Sequence, residues 1–158
     1  MRHLFAWTGL GLCLAVVLIA TLSPTPIDQG YESAIERLLS ILHRNGVPRW
    51  FGYRWLEFSA NIAMFVPLAY FLSLVFPTRF LWVALGVVPA LSVMLETLQF
   101  FVLPARFATV NDVIANTLGG WVGVAAAAVT VAAVHARDRR VLQRWREQNV
   151  IGVREDVR

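Results

Sequence analysis

Four apolar stretches dominate the chain, at about residues 4–22, 58–76, 80–103 and 112–134. The third is interrupted only by Glu96, and the fourth opens on Asp112. At about 1.5 Å per residue, each is long enough to cross a hydrocarbon core about 30 Å thick. Periodicity does not separate a membrane helix from a buried one. Repetition does, because 158 residues have no room to bury four such helices completely. Arg2 and His3 precede the first stretch, as they would in a signal peptide. The stretch is long for one, and no small-x-small cleavage pattern appears before Ser23-Pro24-Thr25-Pro26, so it reads as an uncleaved helix.

The links sharpen this picture. Pro77-Thr78-Arg79 is too short for anything but an antiparallel turn between spans two and three, and Pro104 to Thr109 similarly joins spans three and four. The long link, Ser23 to Glu57, has an internal pattern. Tyr31, Ile35, Leu38, Leu39 and Leu42 recur at helical spacing, opposite Glu32, Glu36, Arg37 and Arg44. Asn45-Gly46 followed by Pro48 is a stop signal. This predicts an amphipathic helix at the membrane surface. Trp50, Phe51, Tyr53, Trp55 and Phe58 then form an interfacial aromatic belt. Anchoring alone accounts for both features. The expected fold is all-α: four transmembrane helices in an antiparallel bundle, with an amphipathic surface helix between spans one and two. The membrane domain covers 1–136, and a basic cytoplasmic tail covers 137–158.

Composition agrees. Hydrophobic residues make up 58% and charged residues only 15%, with mean hydropathy +0.61; soluble chains run to about 25% charged. The single Cys13 excludes an internal disulfide and a tetrathiolate zinc site. All 14 basic residues are arginine, and the net charge is +4. Nucleic acid is not the expected partner, because Arg137, Arg139, Arg140, Arg144 and Arg146 crowd just beyond the last span, where anionic lipid headgroups lie. That cluster predicts a multi-pass protein of the cytoplasmic membrane with both termini inside. His3, His43 and His135 are scattered and read as interfacial.

Polar residues inside the spans carry the candidate chemistry, since an ionisable group there costs on the order of 2.5–3.5 kcal/mol on insertion scales. Glu57 and Asn61 open span two, four apart and on one face; Glu96 and Gln99 close span three; Asp112 and Asn116 open span four; Arg106 lies between the last two. Spans alternate in direction, so all seven belong to one end of the bundle whichever way the protein is inserted. The other half is nearly apolar. Ala115, Gly119, Gly123 and Ala127, with Gly86 and Ala90 in span three, predict close helix packing. Pro67 and Pro89 predict kinks. A purely structural reading, in which these groups only join helices, suits the amides better than the acids, which must be paired or protonated to sit there.

The arrangement Glu57-x3-Asn61-x3-Phe65-x-Pro67-Leu68, then Glu96-x2-Gln99, Arg106 and Asp112-x3-Asn116-x2-Gly119, resembles the VanZ-like family. The likeness covers Leu4 to about Val134, and the third and fourth spans carry its specific part. That family often has an aspartate or another residue at the position of Glu57. The resemblance implies a small bacterial membrane protein of the cell envelope, named for a component linked to teicoplanin resistance. It fixes a class and leaves the mechanism open.

Three mechanisms follow. In the first, the polar end binds an anionic or polar headgroup at the outer face: Arg106 meets phosphate or carboxylate, and Asn61, Gln99 and Asn116 supply hydrogen bonds. A cell-wall lipid precursor or a glycopeptide is the ligand the resemblance suggests. In the second, Glu57, Glu96 and Asp112 hold a divalent cation for an enzyme, or Glu96 is a general base. No recognised membrane-enzyme signature accompanies them. The third is a small proton-coupled transporter with Glu96 as carrier, against which stands the absence of an internal repeat.

Overall fold

The computed structural model describes residues 2–22, 30–102 and 109–155, with side chains over 4–22, 30–102 and 109–145. The described chain is helical: α1 (Arg2–Leu22), α2 (Glu32–Arg44), α3 (Tyr53–Val75), α4 (Leu81–Val102) and α5 (Val110–Glu155), with a short 3-10 turn at Thr78–Phe80 between α3 and α4. Four of them, α1, α3, α4 and α5, are long and apolar enough to cross a membrane. Only 17–33% of each apolar window is buried within the protein. The remaining apolar surface, including Leu4, Leu12, Ile19, Trp82 and Val129, faces outward. Water would not tolerate so much of it, and a bilayer does.

Consecutive spans alternate in direction, yet the most extensive packing joins two spans that run parallel, α3 and α5. α1 lies on the far side of α3, and α4 lies on α5. Glycine makes the α3–α5 approach possible. A Cβ on Gly119 would strike the Ile62 carbonyl, and one on Gly123 would strike the Val66 carbonyl and the Tyr70 amide. Backbone thus meets backbone, which replaces the hydrophobic drive that lipid cannot supply. Gly120 makes the matching contact to Val88 of α4. Phe65, Leu68, Ala69, Val88, Leu95, Val17 and Val124 close the core. Gly86 and Ala90 differ from expectation: both are exposed, and a Cβ on Gly86 would meet nothing within 4 Å. The buried stripe of α4 instead runs through Ala84, Val88, Ser92, Leu95, Glu96 and Gln99.

Pro89 lacks the N–H that would bond the Leu85 carbonyl four residues earlier. Trp121 of α5 fills that vacancy, its indole N–H donating to the Leu85 carbonyl at 3.2 Å. α5 runs 46 residues, far beyond the span end expected near 134. Nothing stops it, because no proline or glycine occurs between Gly123 and Gly152. At helical rise it is about 69 Å long, more than twice a bilayer core.

α2 ends where its sequence says it should. Asn45 caps it, its side-chain amide donating to the Ile41 carbonyl at 2.8 Å, and Gly46 takes φ 95°. Ile35, Leu39 and Leu42 are half-buried, while Tyr31, Leu38 and Ile41 remain exposed. His43 Nε2 donates to the Phe51 carbonyl at 3.0 Å, tying α2 to the aromatic segment. There Trp50, Trp55 and Phe58 stack edge to face in series, at 5.5 and 5.9 Å between centroids.

Candidate functional site: the polar end of the bundle

The site is built where α1 and α4 end and α3 and α5 begin. Thr109 caps α5. Its hydroxyl donates to Asp112 Oδ2 at 2.7 Å and accepts from the Asp112 amide at 3.2 Å. This satisfies one of the open donors of the first turn and puts an acid at the positive end of the helix dipole. Asp112 Oδ1 accepts from Asn61 Nδ2 of α3 at 2.7 Å. Both carboxylate oxygens of Asp112 are therefore engaged, one by its own cap and one by the neighbouring span. For Asn61 and Asp112, the role visible in the contacts is joining α3 to α5.

One turn deeper in α5, Asn116 is 2% exposed. Its side-chain amide donates to Ser92 Oγ of α4 at 3.1 Å, and among the described residues its Oδ1 has no hydrogen-bond partner. Ser92 lies four residues before Glu96 and so on the same face of α4. Glu96 and Gln99 are both buried, at 8% and 7% exposure. Gln99 Nε2 donates to the Thr21 carbonyl at 2.6 Å. That carbonyl belongs to the last turn of α1, where no intrahelical donor remains. Gln99 thereby fastens α4 to α1.

Glu96 also lines an open recess of about 260 Å³ between α4 and α5, with Val93, Thr97 and Phe100 on one side and Thr109, Val110 and Val113 on the other. Glu57 stands apart from this group. It is exposed in the second turn of α3, one turn outside Asn61. Arg106 lies outside the described residues. Among those that are described, no three His, Cys, Asp or Glu side chains group as a metal site, Glu57, Glu96 and Asp112 included.

Three contributors escaped the sequence reading. Thr109 had a readable signal, the cap spacing Thr109-x-x-Asp112. Ser92 could have been found as the residue one turn before Glu96. The Thr21 carbonyl has no side-chain signature at all.

The family model for VanZ/LLP1 matches residues 9–131. The chain belongs to the VanZ/LLP1 family. The matched stretch takes in α3, α4 and α5 as far as Val131, and so every described residue of the polar end. No curated protein and no solved structure matches the chain. Family membership and four apolar helices together make this VanZ/LLP1 chain a multi-pass membrane protein.

Proposed function

We propose that this VanZ/LLP1 protein binds the polar headgroup of a membrane-borne ligand at the polar end of its bundle. The observation that carries the reading is Glu96: a buried acid that lines an open recess between α4 and the start of α5. Helix-joining accounts for Asn61 and Asp112, whose groups are spent on each other and on Thr109. Glu96 differs from them in lining an open recess.

In this reading Arg106 meets the phosphate or carboxylate of the headgroup, as guanidinium groups do through paired hydrogen bonds. Gln99 and Asn116 hold the helix ends that frame the site, and Glu57 contributes at its outer edge. The arginines beyond α5's apolar stretch support an orientation with both termini in the cytoplasm, and in that orientation the polar end lies at the outer face of a bacterial cytoplasmic membrane. A cell-wall lipid precursor or a glycopeptide is the ligand consistent with the VanZ-like resemblance, and antibiotic resistance would follow from capturing either.

The test is mass spectrometry of lipids that co-purify with wild type and with Arg106→Ala. Loss of a specific anionic lipid from the variant supports the reading. An identical lipid profile in both proteins contradicts it.

A further inference from the structure

The far end of α5 carries an apolar stripe that no described part of the chain covers. The uncharged run of this helix, residues 113–134, is about 33 Å long at helical rise, enough for the roughly 30 Å of a hydrocarbon core, so α5 leaves lipid near Val134. The helix then continues unbroken to Glu155. Along its axis Val141 stands about 10 Å beyond Val134, and Trp145 about 16 Å. The headgroup layer on each side of a bilayer is only about 5–8 Å deep. Val141, Leu142 and Trp145 are nevertheless exposed, Trp145 to 63%. Three large apolar side chains thus stand together in water on one helix.

The stripe has a register. Val134, Asp138, Val141 and Trp145 follow one another at steps of four, three and four, the spacing of a helix seam, with Leu142 beside it. Arg137 and Arg144, seven apart, border one edge of the seam, while Arg139 and Arg140 lie further round the helix. Four arginines against one aspartate leave residues 137–145 strongly positive.

Position and charge together select what covers the stripe. The bilayer does not reach it, because an unbroken helix carries Val141 and Trp145 onward from the span and away from lipid. A second copy in the same membrane would run parallel and set Asp138 against its own counterpart in the middle of the seam, a like-charge contact that costs binding energy. An acidic amphipathic helix has neither fault. Its apolar face covers the stripe, and its carboxylates meet Arg137 and Arg144 as charge pairs do at the edges of a helix seam. Trp145 is the natural anchor, since Trp is enriched among the residues that carry most of the energy of protein interfaces.

We infer that residues 134–145 of α5 are a docking helix for an acidic amphipathic helix of another protein, on the C-terminal side of the membrane. The inference is independent of the headgroup reading and uses no residue of the polar end.

The experiment uses the full-length protein in phosphatidylcholine nanodiscs. The probe is a fluorescent helical peptide with leucines at the seam positions, one lysine to face Asp138, and glutamates along both edges. In a control peptide lysines replace the glutamates. Binding is read by anisotropy against empty nanodiscs. The expected result is that the glutamate peptide binds at least about tenfold more tightly than the lysine peptide, and that Trp145→Ala weakens it about tenfold or more. Arg137→Glu combined with Arg144→Glu reverses the preference. Arg139→Glu combined with Arg140→Glu removes the same charge away from the seam, and the preference survives. The reversal is a gain of binding to the lysine peptide, so misfolding does not produce it. A spin label at Leu142→Cys, in a Cys13→Ser background, loses mobility when the glutamate peptide is added.

No binding of the glutamate peptide, equal binding of the two peptides, or the same behaviour in both double variants overturns the inference. So does a label at position 142 that reports lipid contact before peptide is added, which would give the stripe to the bilayer. Dipolar broadening between labels would give it to a second copy, and overturns the inference too.

Discussion

Asn61 of α3 and Asp112 of α5 are joined by a 2.7 Å hydrogen bond at the start of two parallel spans, while Thr109 holds the second oxygen of the same carboxylate. One acid thus caps its own helix and ties it to a neighbour. Interhelical polar pairs in membranes average about 0.6 kcal/mol and reach about 1.7. A double-mutant cycle of Asn61→Ala and Asp112→Ala, read by unfolding in detergent, should give a coupling in that range. Thr109→Val should weaken the cap by about 1 kcal/mol and leave Asn61 in place. A coupling of zero would remove the link between α3 and α5 from this account.

Glycine positions that look alike in sequence should behave differently. Gly119→Leu and Gly123→Leu drive a side chain into the α3 backbone, and each should lower the unfolding temperature sharply, at a cost of at least 1–3 kcal/mol. Gly86→Leu points into open space and should be tolerated. Equal loss at Gly86 and Gly123 would contradict the packing described.

The contact between Trp121 and Leu85 exists because Pro89 leaves a carbonyl without its helical donor. Trp121→Phe should cost about 0.5–1.5 kcal/mol. In a Pro89→Ala background the restored amide serves that carbonyl, and the same substitution should cost less. Unfolding of the four proteins checks this, and additive losses would show that the indole acts only by packing.

Tyr31, Leu38 and Ile41 line an α2 face that no part of the described chain covers. Spin labels at residues 38 and 41 should report lipid contact through oxygen accessibility. Labels at Glu36 and Arg44 should report water. Uniform water exposure around α2 would detach it from the membrane surface.

Much of this was legible in the sequence. Four hydropathy maxima and the alternation of span direction put all seven candidate residues at one end; the six that the structure describes lie there, and five of those side chains lie inside the packed bundle. Register was not legible. Gly86 and Gly123 are equally small, and only the contact between helices decides which one meets a backbone. Glu57 and Asn61 share a face by spacing, but the turn that separates them carries Glu57 out of the packed region. The length of α5 was hidden for another reason: hydropathy marks where a helix leaves lipid, not where it ends. From 124 to 151 the chain has no helix breaker.

The central claim is a headgroup held at the polar end, and native mass spectrometry of the intact protein titrated with phosphatidylglycerol tests it most directly. The account predicts one lipid bound ahead of the rest, its affinity reduced about tenfold in Arg106→Ala, roughly one charge-assisted contact, and unchanged in Gly86→Leu. A gradual series of lipid adducts, the same in all three proteins, would contradict it.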